Sequence, residues 1–201
     1  MQQLLPEARV AEKKNGTSIY NVVNEWVEEI GPNAFVPVFL PFLMASNVHP
    51  NAKSVLVGMN VSHTRKHIAR SIYEGICFGH RYHLEKLLAT RDEAPKAIRL
   101  SGGAARSKVW TQMFADICQI PVETVAADEA GALGCAIAAA VAAGEYEDLN
   151  AAIAGMTQIH EAVLPNRELK EIYDKKYQLY LKTIECLDGL WDQMQALAEE
   201  Q

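Results

Sequence analysis

The order of apolar segments along this chain predicts an α/β fold. Two junctions carry that expectation. In the first, a short buried strand holding Ala97, Ile98 and Leu100 breaks at Gly102-Gly103 and re-enters as a helix bearing Val109, Trp110, Met113 and Phe114. The glycine pair lets the backbone take positive φ and come close to a ligand, because no Cβ intervenes. The free N–H groups of the following helix point back at the same spot and favour phosphate or another electron-rich group. In the second junction, the strand Pro121 to Val125 leads into an Ala-rich helix. Asp128 and Glu129 stand at its start, where negative charge suits the helix dipole.

The remaining elements follow from spacing. Residues 1–17 are polar and irregular. A helix begins at Thr17 or Ser18 as N-cap: Ile19, Val22, Val23, Trp26, Val27 and Ile30 recur at helical intervals until Gly31-Pro32 stops them. Phe35 to Leu40 reads as an edge strand, because Pro37 interrupts it and Pro41 closes it. Ser54 to Met59 is a second β-branched run. A long helix is predicted from Thr64 to about Leu88, with Ile68, Ile72, Ile76, Tyr82 and Leu87 buried. Gly75 and Gly79 lie four apart inside it, each costing about 1 kcal/mol relative to alanine, which implies close packing by another backbone. The segment from about Asn166 to Ala198 reads as one amphipathic helix. Leu169, Ile172, Tyr173, Lys176, Tyr180, Ile184, Leu187 and Trp191 mark its packed stripe, and Gly189 is its weak point. Tyr173, Tyr177 and Tyr180 are read as packing.

Composition narrows the function classes. The 201 residues are 49% apolar and 22% charged, the profile of one soluble globular domain. A net charge of −6 argues against a general nucleic-acid partner. No apolar run approaches the ~18 residues of a membrane span, and the N-terminus lacks the pattern of a signal peptide. Cys77, Cys118, Cys135 and Cys186 form no Cys-x-x-Cys pair. They are expected to be reduced, mostly buried thiols of a cytoplasmic protein.

Several chemistries lack their motif. His63 with His67, and His80 with His83, share helix faces, but no Glu or further carboxylate completes a zinc set, so capping, surface or core-edge roles are expected. No Gly-x-Ser-x-Gly elbow is present. The Ser101 to Ser107 segment lacks the third glycine of a dinucleotide fingerprint, and no P-loop occurs.

Three separated segments resemble the C-terminal domain of the FGGY family of carbohydrate kinases. Ser54 to Glu74 satisfies the family's second signature position by position; Leu100 to Ile117 and Glu129 to Ala140 supply the rest. The resemblance covers roughly residues 18 to 195. Within the family, Phe39 to Asn47, His63 to His67, Ala69 to Ile76 and Ile172 to Tyr180 resemble the branch that phosphorylates L-xylulose. Many relatives carry Gly-Glu-Arg-x-Pro where this chain has Ala45 to His49.

The resemblance implies an actin-like ATPase (ribonuclease H-like) α/β fold, a small-molecule sugar substrate, ATP and Mg²⁺. It implies no metal site in this chain. By the same carry-over, Gly102 and Gly103 approach the nucleotide, Ala104 lies beside them, and Ser107 occupies the position of a polar contact to the adenine. Gly131 and Gly134 are read as close-packing positions behind that site, with a place for Gly131 near it left open. The family's first domain, with its Asp-x-Gly loop, has no counterpart here, and none of Asp92, Asp116, Asp128 or Asp148 matches the catalytic aspartate. Residues 1–201 are therefore expected to form a partial C-terminal domain lacking its first strands, with no catalytic residue and no activity alone. An apolar face left open by those strands would favour homo-oligomers. Asp116 is read as structural. Two alternatives stay open: a non-catalytic actin-like module binding nucleotide or a partner, and a kinase for ribulose, D-xylulose or gluconate.

Overall fold

In the computed structural model, which describes residues 18–44, 46, 48–127 and 129–200, the first predicted helix forms as α1 (Ile19–Ile30). The Ser18 Oγ accepts the Tyr20 amide at 3.3 Å, and Gly31 ends the helix at φ 65°. Its apolar face buries Ile19, Val23 and Val27. The first strands are shorter than predicted: β1 (Val38–Leu40) pairs antiparallel with β2 (Val55–Val57), Val38 facing Val57. Pro37 carries no amide hydrogen, so the ladder cannot extend towards Phe35.

Helix α2 (Arg65–Leu88) buries a different face from the one that periodicity predicts. Ile68, Ile72, Ile76 and Tyr82 are only half-buried, and Leu87 is 63% exposed. The buried face instead carries Arg70, Tyr73, Glu74, Cys77 and Phe78. Charged groups enter because they satisfy one another. Arg70 donates to the Glu74 carboxylate at 2.7 Å, to the Val27 carbonyl at 2.8 Å and to the Tyr173 hydroxyl at 2.9 Å. Lys176 bonds both Glu74 oxygens at 3.0 Å. Burial pushes the Lys176 pKa below its ordinary value, and the Glu74 charge pulls it partly back.

The close-packing reading of Gly75 holds. A Cβ there would stand 2.2 Å from the Phe39 carbonyl oxygen, so β1 lies directly on the helix backbone. At Gly79 the neighbours are side chains, the Tyr180 hydroxyl at 3.4 Å and Pro41 at 3.5 Å. The C-terminal helix breaks where Gly189 weakens it: α6 (Lys170–Leu187), a 3₁₀ turn (Asp188–Leu190) and α7 (Trp191–Glu199). Tyr173, Tyr177 and Tyr180 of α6 surround Phe78 with ring centroids 6.5, 5.9 and 5.7 Å away. Burial raises the Tyr73 phenol to about 12, with Tyr20 adding to the effect, and drives the Tyr177 and Tyr180 phenols up as well. These elements, from both ends of the chain, form one compact unit.

Residues Glu93–Arg167 form the second unit. Here β3 (Ile98–Leu100) runs parallel to β4 (Val122–Thr124), Ile98 facing Val122, with α3 (Lys108–Cys118) as the crossover. Met113, Phe114, Ala115, Ile117 and Val122 form the core of this unit. A further segment lies antiparallel beside β4 through bridges Val122 to Val163 and Val125 to Ile159. Helix α4 (Ala130–Ala142) forms as predicted, with Glu129 as N-cap; Asp128 lies outside the described residues. Helix α5 (Leu149–Met156) has no counterpart in the sequence reading; Asp148 caps it, accepting the Ala151 amide at 2.8 Å.

Two expectations are corrected here. Of the four cysteines only Cys77 is buried; Cys118 is intermediate, and Cys135 and Cys186 are exposed. Gly131 and Gly134 do not pack closely: both are exposed, and no described atom comes within 4 Å of where a Cβ would stand. Helix α4 is apolar nearly all round yet buries only Ile137.

Candidate functional site

The second unit opens a cleft of about 370 Å³ at the carboxyl ends of its parallel strands. Ser101, Gly102, Ala105 and Arg106 form one lip. Thr124 to Ala127 and His160 form the other. The turn after β3 makes the first lip. Gly102 sits at φ 79°, a conformation that side-chain-bearing residues rarely adopt, and a 3₁₀ turn (Gly103–Arg106) follows. No described atom approaches within 4 Å of a Cβ built at Gly102 or Gly103, so the strand-to-helix turn presents bare backbone.

Of the residues the motif nominates, Gly102 lines the cleft itself. Gly103 and Ala104 form the start of the turn beneath it. Ser107 is placed differently from a surface contact. It is 7% exposed and is the N-cap of α3, its Oγ accepting the Trp110 amide at 3.1 Å. Asp116 is structural, as read from the sequence. Its Oδ1 accepts the Gln112 amide and the Asn166 backbone N–H, both at 2.8 Å, and so ties α3 to the end of this unit.

Arg106, Ala105 and the Thr124–Ala127 segment belong to the lips although no motif names them for that role. Arg106 forms an exposed ion pair with Glu129 at 3.1 Å. His160 had no signal at all. It reaches the cleft because its backbone N–H donates to the Thr124 carbonyl at 2.9 Å, across an antiparallel bridge that local periodicity does not reveal.

His63 and His67, at the start of α2, have local roles. His67 Nδ1 accepts the Thr64 amide at 3.2 Å, capping the helix, and His63 Nδ1 accepts the Asn60 amide at 3.1 Å. Among the described residues no three His, Cys, Asp or Glu side chains come together. Nor is any described helix long and apolar enough to cross a membrane.

The chain has the α/β fold of the actin-like ATPase class, and its parallel-strand unit opens a polar cleft at a glycine turn. Comparison with known proteins gives the particular family. Residues 1–143 match the C-terminal domain of the FGGY family of carbohydrate kinases. An L-xylulose/3-keto-L-gulonate kinase of Escherichia coli K12 is 34% identical over 174 residues, which is 87% of this chain and 35% of that protein. A probable L-xylulose kinase of Haemophilus influenzae is 33% identical over 85% of this chain and 34% of its own length. The crystal structure of xylulose kinase from Rhodospirillum rubrum superposes with a TM-score of 0.75 at 26% identity, covering 92% of this chain and 37% of that one. The chain belongs to the FGGY family of carbohydrate kinases, and it spans about a third of the length of the curated relatives it matches.

Proposed function

We propose that this chain is the nucleotide-holding part of an ATP-dependent kinase that phosphorylates a ketopentose, with L-xylulose the best-supported substrate. The observation that carries the reading is the cleft at Gly102, polar and open, in a chain of a sugar-kinase family. The sugar assignment rests on the likeness to L-xylulose kinases.

In this reaction a sugar hydroxyl oxygen bonds to the γ-phosphorus, the bond to the β,γ-bridging oxygen breaks, ADP leaves, and the hydroxyl proton passes to a base. That base is not among the residues of this chain that match the family pattern. The share of this chain is positioning. Gly102, Gly103 and Ala104 bring backbone to within contact of the nucleotide, and Ser107 acts on the adenine side. Because the Ser107 Oγ also caps α3, its loss weakens the helix and the contact together. Mg²⁺ would shield the phosphate charge when bound.

Titration of ATP into the purified chain tests this reading, with phosphorylation of L-xylulose measured in parallel. The expected result is saturable ATP binding without turnover. Absence of binding overturns the nucleotide reading, and measurable turnover overturns the assignment of the base elsewhere.

A further inference from the structure

Six histidines occupy this chain, and five are engaged internally. His49, His63 and His67 accept backbone amides through Nδ1 at 3.1, 3.1 and 3.2 Å. The His83 ring lies 5.5 Å from the Tyr82 ring, and His80 has a partner of its own. His160 differs. Its imidazole has no hydrogen bond, ion pair or ring contact with any described residue, while its backbone is fixed by the bond to the Thr124 carbonyl. A side chain that is free on an anchored backbone is presented, not merely loose.

What it is presented to is the cleft. His160 supplies the one ring among the lining residues, and Gly102, Ala105, Ala126 and Ala127 leave flat, low walls around it. A ring set among small residues suits a planar, π-faced ligand, because a base gains dispersion and stacking from a ring without needing a sequence-specific hydrogen bond.

We propose that the His160 imidazole is a wall of the nucleotide cleft, stacking on the purine base of the bound nucleotide; this rests on the nucleotide reading above. The residue contributes affinity on the base side and takes no part in phosphoryl transfer. It lies 53 positions beyond the end of the Gly102 to Ser107 motif in sequence, and the antiparallel bridge beside β4 delivers it.

Calorimetric titration of ATP into the whole chain, compared for wild type, His160→Ala and His160→Phe, tests the assignment. Circular dichroism establishes that both variants fold, as expected for an exposed side chain. Loss of the ring in His160→Ala is expected to weaken binding about tenfold, whereas His160→Phe keeps a stacking surface and stays within about twofold of wild type. ATP binding unchanged in His160→Ala overturns the proposal, as does a His160→Phe variant weakened as much as His160→Ala. A wild-type chain that binds no ATP overturns the nucleotide reading instead, so the two failures are told apart.

Discussion

The two units use glycine in opposite ways. In the unit built from both ends of the chain, Gly75 is demanded by the protein itself, because β1 occupies the space a side chain would need. In the inserted unit, Gly102 faces open space in the cleft, Gly103 faces open space in the turn after it, and Gly131 and Gly134 face open space on α4. The first unit spends its side chains on internal contacts, with an Arg70–Glu74–Lys176 cluster and four packed rings. The second leaves backbone and small residues uncovered.

Breaking the buried cluster should produce the largest loss. Glu74→Ala leaves the buried Arg70 and the half-buried Lys176 without their counter-charge, for an expected cost of about 3–5 kcal/mol in urea denaturation. A variant as stable as wild type would dissolve the contrast between the units. Gly75→Ala comes next, at about 3 kcal/mol, because its Cβ meets backbone that can only move aside. Thermal melting should show the loss, although the same change in an open helix is favourable.

The third test uses alkali. The Tyr73 phenol is held at about 12 in the fold, above the ~10 of an unfolded chain, so the folded state binds its proton more tightly. That stability is fully present below pH ~10 and is lost as pH rises through about 12. Tyr177 and Tyr180 shift in the same direction. Tyrosinate absorbance should therefore rise for these three together with loss of helical circular dichroism. Ionisation of all seven tyrosines at the ordinary pH, with the helices intact, would contradict their burial.

Smaller effects belong to the inserted unit. Ser107→Ala removes the N-cap of α3 and should cost about 1 kcal/mol, besides any loss of ATP affinity. Gly131→Ala should stabilise by up to about 1 kcal/mol, since a Cβ meets nothing and the helix gains propensity. Destabilisation at Gly131 would mean that α4 is more closely covered than its surroundings indicate.

Much of this was legible beforehand, for identifiable reasons. The helix glycines announced close packing because their cost needs an offsetting contact, and Gly75 met it. The strand, glycine pair and helix of the cleft were readable because they are contiguous. The buried face of α2 was not. Periodicity assigns charged residues outward, and Arg70 and Glu74 turn inward only because Val27, Tyr173 and Lys176, distant in sequence, complete their bonds. Helix α5 is eight residues long, too short for its pattern to stand out from the loops around it. The single C-terminal helix failed at the glycine already marked as weak. At the site, Ser107 was nominated for a ligand contact, and its capping role emerged only with the backbone of α3 in view. His160 could not be found locally, since the bridge that brings it to the cleft joins Val125 to Ile159, far apart in sequence.

The insertion itself has a consequence for synthesis. The cleft-bearing unit is one continuous stretch, Glu93–Arg167, whereas the other unit needs α6 to cover Phe78 and the α2 charges. On the ribosome, the second unit can therefore reach its native contacts before the first, although it begins later in the chain. Until Tyr173 and Lys176 emerge, Arg70, Glu74 and Phe78 wait exposed. The vulnerable interval in making this unit lasts until α6 and α7 emerge.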